Sequence, residues 1–256
     1  MGKLAVLLLI WCGELVTSVA FLLLAEVADA QYAVPSGIPN WWTGDTDGTD
    51  RVGAKTIVAQ NGATTATGYT LNGFKMGGGS QHWLTSHNSW SLGSTFTIEF
   101  WAKLDTTSTQ QAFVAADEGP GTTNKWILRY RTSPSRLNFH INGPVVGSHN
   151  FEASWSPTAG TWYHICVLRD GTNYKIFVDN TQLGSSTAGP APPTVSYGLS
   201  IGMAENNMYM QGMVDELSVY NRAISHGSGG ELSGIFNARQ LGKRKFWCEY
   251  LVESVD

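Results

Sequence analysis

The sequence predicts an all-β fold, an antiparallel sandwich of two sheets with one short helix near the C-terminus. Short runs of alternating apolar and polar residues recur along the chain, rich in aromatic and β-branched side chains. This period-2 pattern belongs to half-buried strands. Turn residues separate the runs, with 29 glycines among 256 residues. Apolar spacing at helical period is nearly absent, so the sequence offers no crossover helices with which to build a parallel sheet.

Residues 1–30 come first, "MGKLAVLLLIWCGELVTSVAFLLLAEVADA". They hold apolar stretches behind one lysine and end in Ala28-Asp29-Ala30, the small-x-small pattern of a cleavage site. They read as a signal peptide or, uncleaved, as a membrane-anchor segment. Glu14 opposes insertion, since a charge there costs about 2.5–3.5 kcal/mol. Residues 31–240 are the folded domain and 241–256 a tail. "FTIEFWAKL" sets Phe96, Ile98, Phe100, Ala102 and Leu104 on one face, with Thr97, Glu99, Trp101 and Lys103 on the other. "WILRYR" and "RLNFHING" follow, the second with Leu137, Phe139 and Ile141 against Asn138, His140 and Asn142. "WYHICVLRDGTNYKIFVDNTQLGS" holds an Asp-Gly at Asp170-Gly171, the signal for a tight hairpin. "YGLSIGMA" and "GMVDELSVYNRAI" complete the strands, and Leu232, Ile235 and Phe236 of "SGGELSGIFNARQ" recur at helical spacing.

Composition excludes several classes. Hydrophobic residues make up 42%, too many for a disordered chain. A net charge of −4 leaves no basic surplus for nucleic acid or an anionic membrane, so membrane association would come only through an uncleaved N-terminal segment. Cys12 lies in that segment, and Cys166 and Cys248 alone make no disulfide framework. Cys166, inside an apolar strand, reads as a buried core thiol. Catalysis is not expected. Retaining glycoside hydrolysis needs two carboxyl groups about 5–5.5 Å apart, whereas Glu99 stands alone on its strand, and adjacent Asp215 and Glu216 should point to opposite faces. No G-x-S-x-G elbow occurs. His82 and His87 lack a third metal ligand at suitable spacing. His140 and His164 read as hydrogen-bonded residues on sheet faces.

Several phrases, in order, resemble laminin G-like jelly-roll domains of the concanavalin A-like lectin/glucanase superfamily. "IPNWWTGDTDGTDRVG" is similar to their Trp-rich opening strand with its Asp-containing turn. "FTIEFWAKL", "TWYHICVLRDGTNYKIFVDNTQLGS" and "GMVDELSVYNRAIS" resemble their first long strand, central hairpin and closing strand, and "ELSGIFNAR" their terminal helix. The likeness covers about Ile38 to Arg239. The sequence departs from the family at "FKMGGGSQHWLT", where carboxylates are usual. The resemblance implies a jelly roll whose first and last strands are neighbours. It further implies a structural Ca²⁺ held by Asp45, Asp50 and Asp215 with backbone carbonyls. The alternative is a solvated turn in which these aspartates satisfy local amides. Trp41 and Trp42 read as packing residues.

For a ligand, the polar sheet face offers Glu99, Trp101, Arg129, Arg131, Asn138 and His140, which share one face if their strands are neighbours. Aromatic faces stack on sugar rings, and amides and charged groups bind hydroxyls. Loop aromatics Trp83, Trp155 and Tyr209 form a second set. The expectation is a secreted or cell-envelope, non-catalytic domain that binds a glycan or another cell-surface ligand. The alternatives are a structural or receptor-binding domain of a phage or virion appendage, and a polysaccharide hydrolase or lyase.

Overall fold

A computed structural model of the chain describes residues 31–33, 36–240 and 244–246. The signal or anchor segment and most of the tail, with Cys248, lie outside these residues. Among the described residues no helix is long and apolar enough to cross a membrane.

The strands run β1 Gln31–Ala33, β2 Asn40–Trp42, β3 Ile57–Gln60, β4 Thr64–Thr67, β5 Asn72–Gly77 and β6 His82–Thr85. Next come β7 Thr95–Leu104, β8 Gln111–Asp117, β9 Lys125–Thr132, β10 Ser135–Asn142, β11 His149–Ser154 and β12 Trp162–Asp170. Then follow β13 Asn173–Val178, β14 Thr181–Ala188, β15 Leu199–Ile201, β16 Met203–Ala204, β17 Met208–Tyr209 and β18 Gln211–Tyr220. Helix α1 spans Glu231–Gln240, and β19, Arg244–Phe246, pairs in parallel with β1. The tail, read from the sequence as poorly packed with room for a short helix or strand, contributes this one strand among its described residues.

Two sheets form a jelly-roll sandwich. One has seven strands in the order β11-β10-β9-β8-β15-β6-β3. The other has eight, β14-β13-β12-β7-β18-β5-β4 with β2 added on β18. The first and last long segments are thus neighbours, with Trp42 opposite Leu217 and Asn40 opposite Val219. Alternation decides what lies between the sheets. Phe96, Ile98, Phe100, Ala102 and Leu104 of β7 face Phe113, Trp126, Leu128, Leu137, Phe139 and Ile141 in one core. Each such large side chain contributes about 1.5–3 kcal/mol by burial. At the β12–β13 hairpin, Gly171 adopts φ 99° and the Asp170 carboxylate accepts the Thr172 and Asn173 N–H groups.

Two further clusters decide which outer surfaces remain open. On the eight-stranded sheet, α1 lays Leu232 and Ile235 over Cys166, Leu168, Phe177 and Tyr220, with Trp41 alongside. The helix is held by a bidentate Arg222–Glu231 pair and by Ser225, whose hydroxyl accepts the Glu231 N–H at 3.0 Å. On the seven-stranded sheet, the β16–β17 hairpin packs Ala204 and Met208 on Ala112, Ala115 and Ile127. The hairpin covers the β8 side of that sheet. It also covers the Lys125–Ile127 end of β9, while among the described residues the outer face from Arg129 onward, with β10 and β11, stays open.

Candidate functional site

The six-residue ligand set predicted to share a face is divided between the two sheets. Glu99 and Trp101 lie on β7, whose neighbours are β12 and β18, whereas Arg129, Arg131, Asn138 and His140 lie on β9 and β10 of the other sheet. Alternation within each strand is as expected; the assumption that the strands adjoin is what fails, because strand order in a jelly roll is set by long-range crossovers. Glu99 is 1% exposed and bonds His164 Nε2 at 2.9 Å and the Tyr220 hydroxyl at 3.1 Å. Trp101 is stacked between Tyr69, with ring centroids 3.6 Å apart, and Phe236 of α1 at 5.8 Å. Both side chains are therefore packing residues beneath the helix. His164 is the hydrogen-bonded sheet histidine the sequence suggested.

Asp215 and Glu216 depart from simple alternation. A register shift between Asp215 and Ser218 puts Glu216 at φ 57°, and such a bulge re-aims side chains. The Glu216 carboxylate receives the Trp41 indole N–H at 2.8 Å, while Asp215 accepts the Tyr69 and Thr70 N–H groups at 2.9 Å. Both carboxylates thus bond groups packed on the outer side of the eight-stranded sheet.

The remaining four residues build a lattice on the open face. Across β9, β10 and β11, one row holds Arg131, Arg136 and Ser154, the next Arg129, Asn138 and Glu152, and a third Ile127, His140 and Asn150. Asn138 is the hub and is fully buried. Its Oδ1 accepts Arg129 Nε at 2.7 Å, and its Nδ2 donates to Asn150 at 3.2 Å and Glu152 at 3.3 Å. Glu152 also pairs with Arg131 at 2.9 Å and Arg136 at 3.3 Å. His140 donates Nδ1–H to the His149 carbonyl at 3.0 Å. Burial first, and then the Arg129 charge, lower the His140 pKa, so the ring is neutral at physiological pH. Asn150, Glu152 and Arg136 were missed at the sequence level. The signal was present: "HNFEAS" alternates Phe151 and Ala153 inward with Asn150, Glu152 and Ser154 outward.

Beside this lattice the hairpin is fastened by ionic contacts. Lys125 is fully buried, and its ammonium reaches the Gly119 carbonyl at 2.5 Å, Glu205 at 2.8 Å and Asp117 at 3.6 Å. Asp117 in turn accepts the Glu205 N–H. Of the loop aromatics, Trp83 packs on Phe74 at 5.0 Å and Trp155 on Tyr130 at 5.9 Å, both in the core. Tyr209 is half-buried on the hairpin. A separate cleft of about 170 Å³ lies at the sandwich edge between Asn40, Lys55, Trp90 and Asn221. There the Lys55 ammonium sits 3.9 Å from the Trp90 ring centre.

The aspartates assigned to calcium each take local donors. Asp50 Oδ1 accepts the N–H groups of Trp41, Val52 and Gly53, and Oδ2 those of Lys55 and the Asn40 amide, between 2.6 and 3.3 Å. Five donors fill the lone pairs that a cation would need. Asp45 caps Asn72 through its backbone carbonyl at 2.9 Å, and Asp215 serves the Tyr69–Thr70 turn. Among the described residues no group of three or more His, Cys, Asp or Glu side chains is placed to hold a metal ion. Asp47 makes the exposed Asx turn with Thr49 N at 2.9 Å. Gly48 is required for close approach, since a Cβ there would lie 1.9 Å from the Ile57 carbonyl.

Comparison with known proteins agrees with this architecture. Domain 4 of an extracellular arabinanase from Geobacillus stearothermophilus, solved with arabinotriose, superposes with a TM-score of 0.60 at 15% identity, covering 79% of this chain and 98% of that one. The ligand-binding domain of botulinum neurotoxin serotype D, solved with N-acetylneuraminic acid, gives 0.61 at 10% identity, covering 78% of this chain and 50% of that one. A Trypanosoma rangeli sialidase gives 0.58 at 16% identity, covering 83% of this chain and 34% of that one. No significant match is found among curated proteins. A laminin G-like family profile described as concanavalin A-like lectin/glucanases superfamily matches residues 77–228. That match spans more than half of the sequence, and the chain belongs to the concanavalin A-like lectin/glucanases superfamily.

Proposed function

We propose that the chain is a non-catalytic carbohydrate-binding domain, secreted or held at the cell envelope, whose ligand surface is the open outer face of β9–β11. The observation that carries this reading is the lattice around Asn138. Two amides, three guanidiniums and one carboxylate lie on one rigid sheet face in fixed mutual hydrogen bonds. Sugar hydroxyls are recognised by such paired donors and acceptors, and a preorganised set avoids the entropic cost of ordering long side chains on binding. Glycan-bound structures of the same fold support the choice of ligand class. The sealed position of Glu99 supports the non-catalytic reading, since a general acid must reach the glycosidic oxygen. The apolar N-terminal segment of the sequence supports export.

A calorimetric panel of neutral and charged oligosaccharides tests the reading, run in parallel with reducing-sugar and unsaturated-product assays. At least one saccharide should bind without being turned over. Asn138→Ala should weaken that binding by about tenfold or more, because the guanidinium and carboxylate it aligns lose their fixed positions. Turnover abolished by Glu99→Gln would move the chain into the enzyme class.

A further inference from the structure

Resting on the reading of β9–β11 as a glycan surface, we infer that its ligand is an anionic glycan, whose carboxylate or sulfate is received by the Arg129 guanidinium. Four cations lie on this side of the sheet, and three have carboxylate partners. Lys125 has Glu205 and Asp117, while Arg131 and Arg136 share Glu152. Arg129 has no carboxylate within ion-pair distance among the described residues. Its partners are amide oxygens, Asn138 at 2.7 Å and Asn150 at 3.5 Å.

Its surroundings make that arrangement unfavourable without a ligand. The guanidinium sits half-buried in the central row, opposite Asn138 on one side and Ala112 on the other. Burial and the neighbouring Arg131 charge both pull its pKa below the usual value, and Glu205 and Glu152 offset this only as more distant charges. A half-buried cation with a like-charged neighbour is stabilised by an arriving anion. A neutral sugar offers it only uncharged oxygens. Nε is fixed by Asn138, which orients the planar group, and a planar fork matches carboxylate and sulfate oxygens in pairs. Ala112, the β8 residue opposite Arg129, carries only a methyl group and offers it no competing polar partner. The surplus is local, since the whole chain carries −4.

The test compares trigalacturonate with α-1,4-galactotriose, which differ only at C6, and adds a 4-sulfated galactan oligosaccharide of similar length. Wild-type protein should bind at least one anionic probe about tenfold more tightly than the neutral one, as expected for a charge-assisted pair. The two anionic arms distinguish uronate from sulfate. Arg129→Gln retains a hydrogen-bonding head without the charge and should bring charged and neutral probes within about twofold of each other. Lys55→Gln, in the separate edge cleft, should leave the preference intact. If Arg129→Gln fails to fold, ionic strength decides: wild-type affinity for the anionic probe should fall about tenfold from low to high salt while that for galactotriose holds. Equal or tighter binding of the neutral probe, lost in Asn138→Ala, would overturn the anionic ligand and leave the glycan surface standing. Silence of every saccharide, charged and neutral, would overturn both.

Discussion

Asp50 and Asp47 are three residues apart in one acidic turn and have opposite consequences. Asp50 is buried and joins Asn40, Trp41, Val52, Gly53 and Lys55, so Asp50→Ala leaves charged-acceptor hydrogen bonds unmade on both sides of the β2 junction. We expect a loss of about 2–4 kcal/mol in urea unfolding. Asp47 is exposed, bonds Thr49 N and lies 3.9 Å from Arg51, so Asp47→Ala should cost about 0.5 kcal/mol or less. Because Asp50 is saturated by N–H donors, calcium and chelators should leave the melting temperature unchanged. A fall on chelation would mean that the aspartates hold a cation after all. The sequence made the turn chemistry of "DTDGTD" legible, including the local-amide alternative. Which aspartate anchors the fold was not legible, because burial depends on the pairing of β2 with β18.

At the scale of elements, α1 is what separates the two outer faces. Its apolar stripe was readable from the spacing of Leu232, Ile235 and Phe236, but not the surface it would cover. That surface is the polar side of β7, so a strand that reads as half exposed becomes buried on both faces. Leu232→Ala, at a fully buried position, should cost about 2–4 kcal/mol and expose Trp101, seen as a red shift in tryptophan emission. The helix start adds a pH dependence. The Arg222 guanidinium and the Ser225 N–H hold the Glu231 carboxyl down at about 2, from an ordinary 4.5. Its stabilisation is therefore complete above about pH 4.5 and is lost as pH falls toward 2. Glu231→Gln should cost about 1 kcal/mol at neutral pH, discounted for its partial exposure, and the gap from wild type should shrink below about pH 4.5 and close as pH falls through about 2. A gap that persists in acid would assign the effect to packing.

For the whole molecule, strand existence and inward-facing residues were legible from period-2 alternation: the β7 core residues and those of β10 fall where the pattern puts them. Strand order was not, since it is fixed by contacts far apart in sequence, and Glu99 and Trp101 were consequently grouped with residues from the opposite sheet. The central claim is that the open lattice on β9–β11 binds a glycan while the helix-covered face does not. Backbone amide shifts, followed by NMR while the tightest-binding saccharide of the panel is added, test it most directly. The account predicts progressive changes in residues 125–142 and 149–154, with β7, β12 and α1 quiet. Changes confined to β7 and α1, or to the cleft around Lys55 and Trp90, would contradict it.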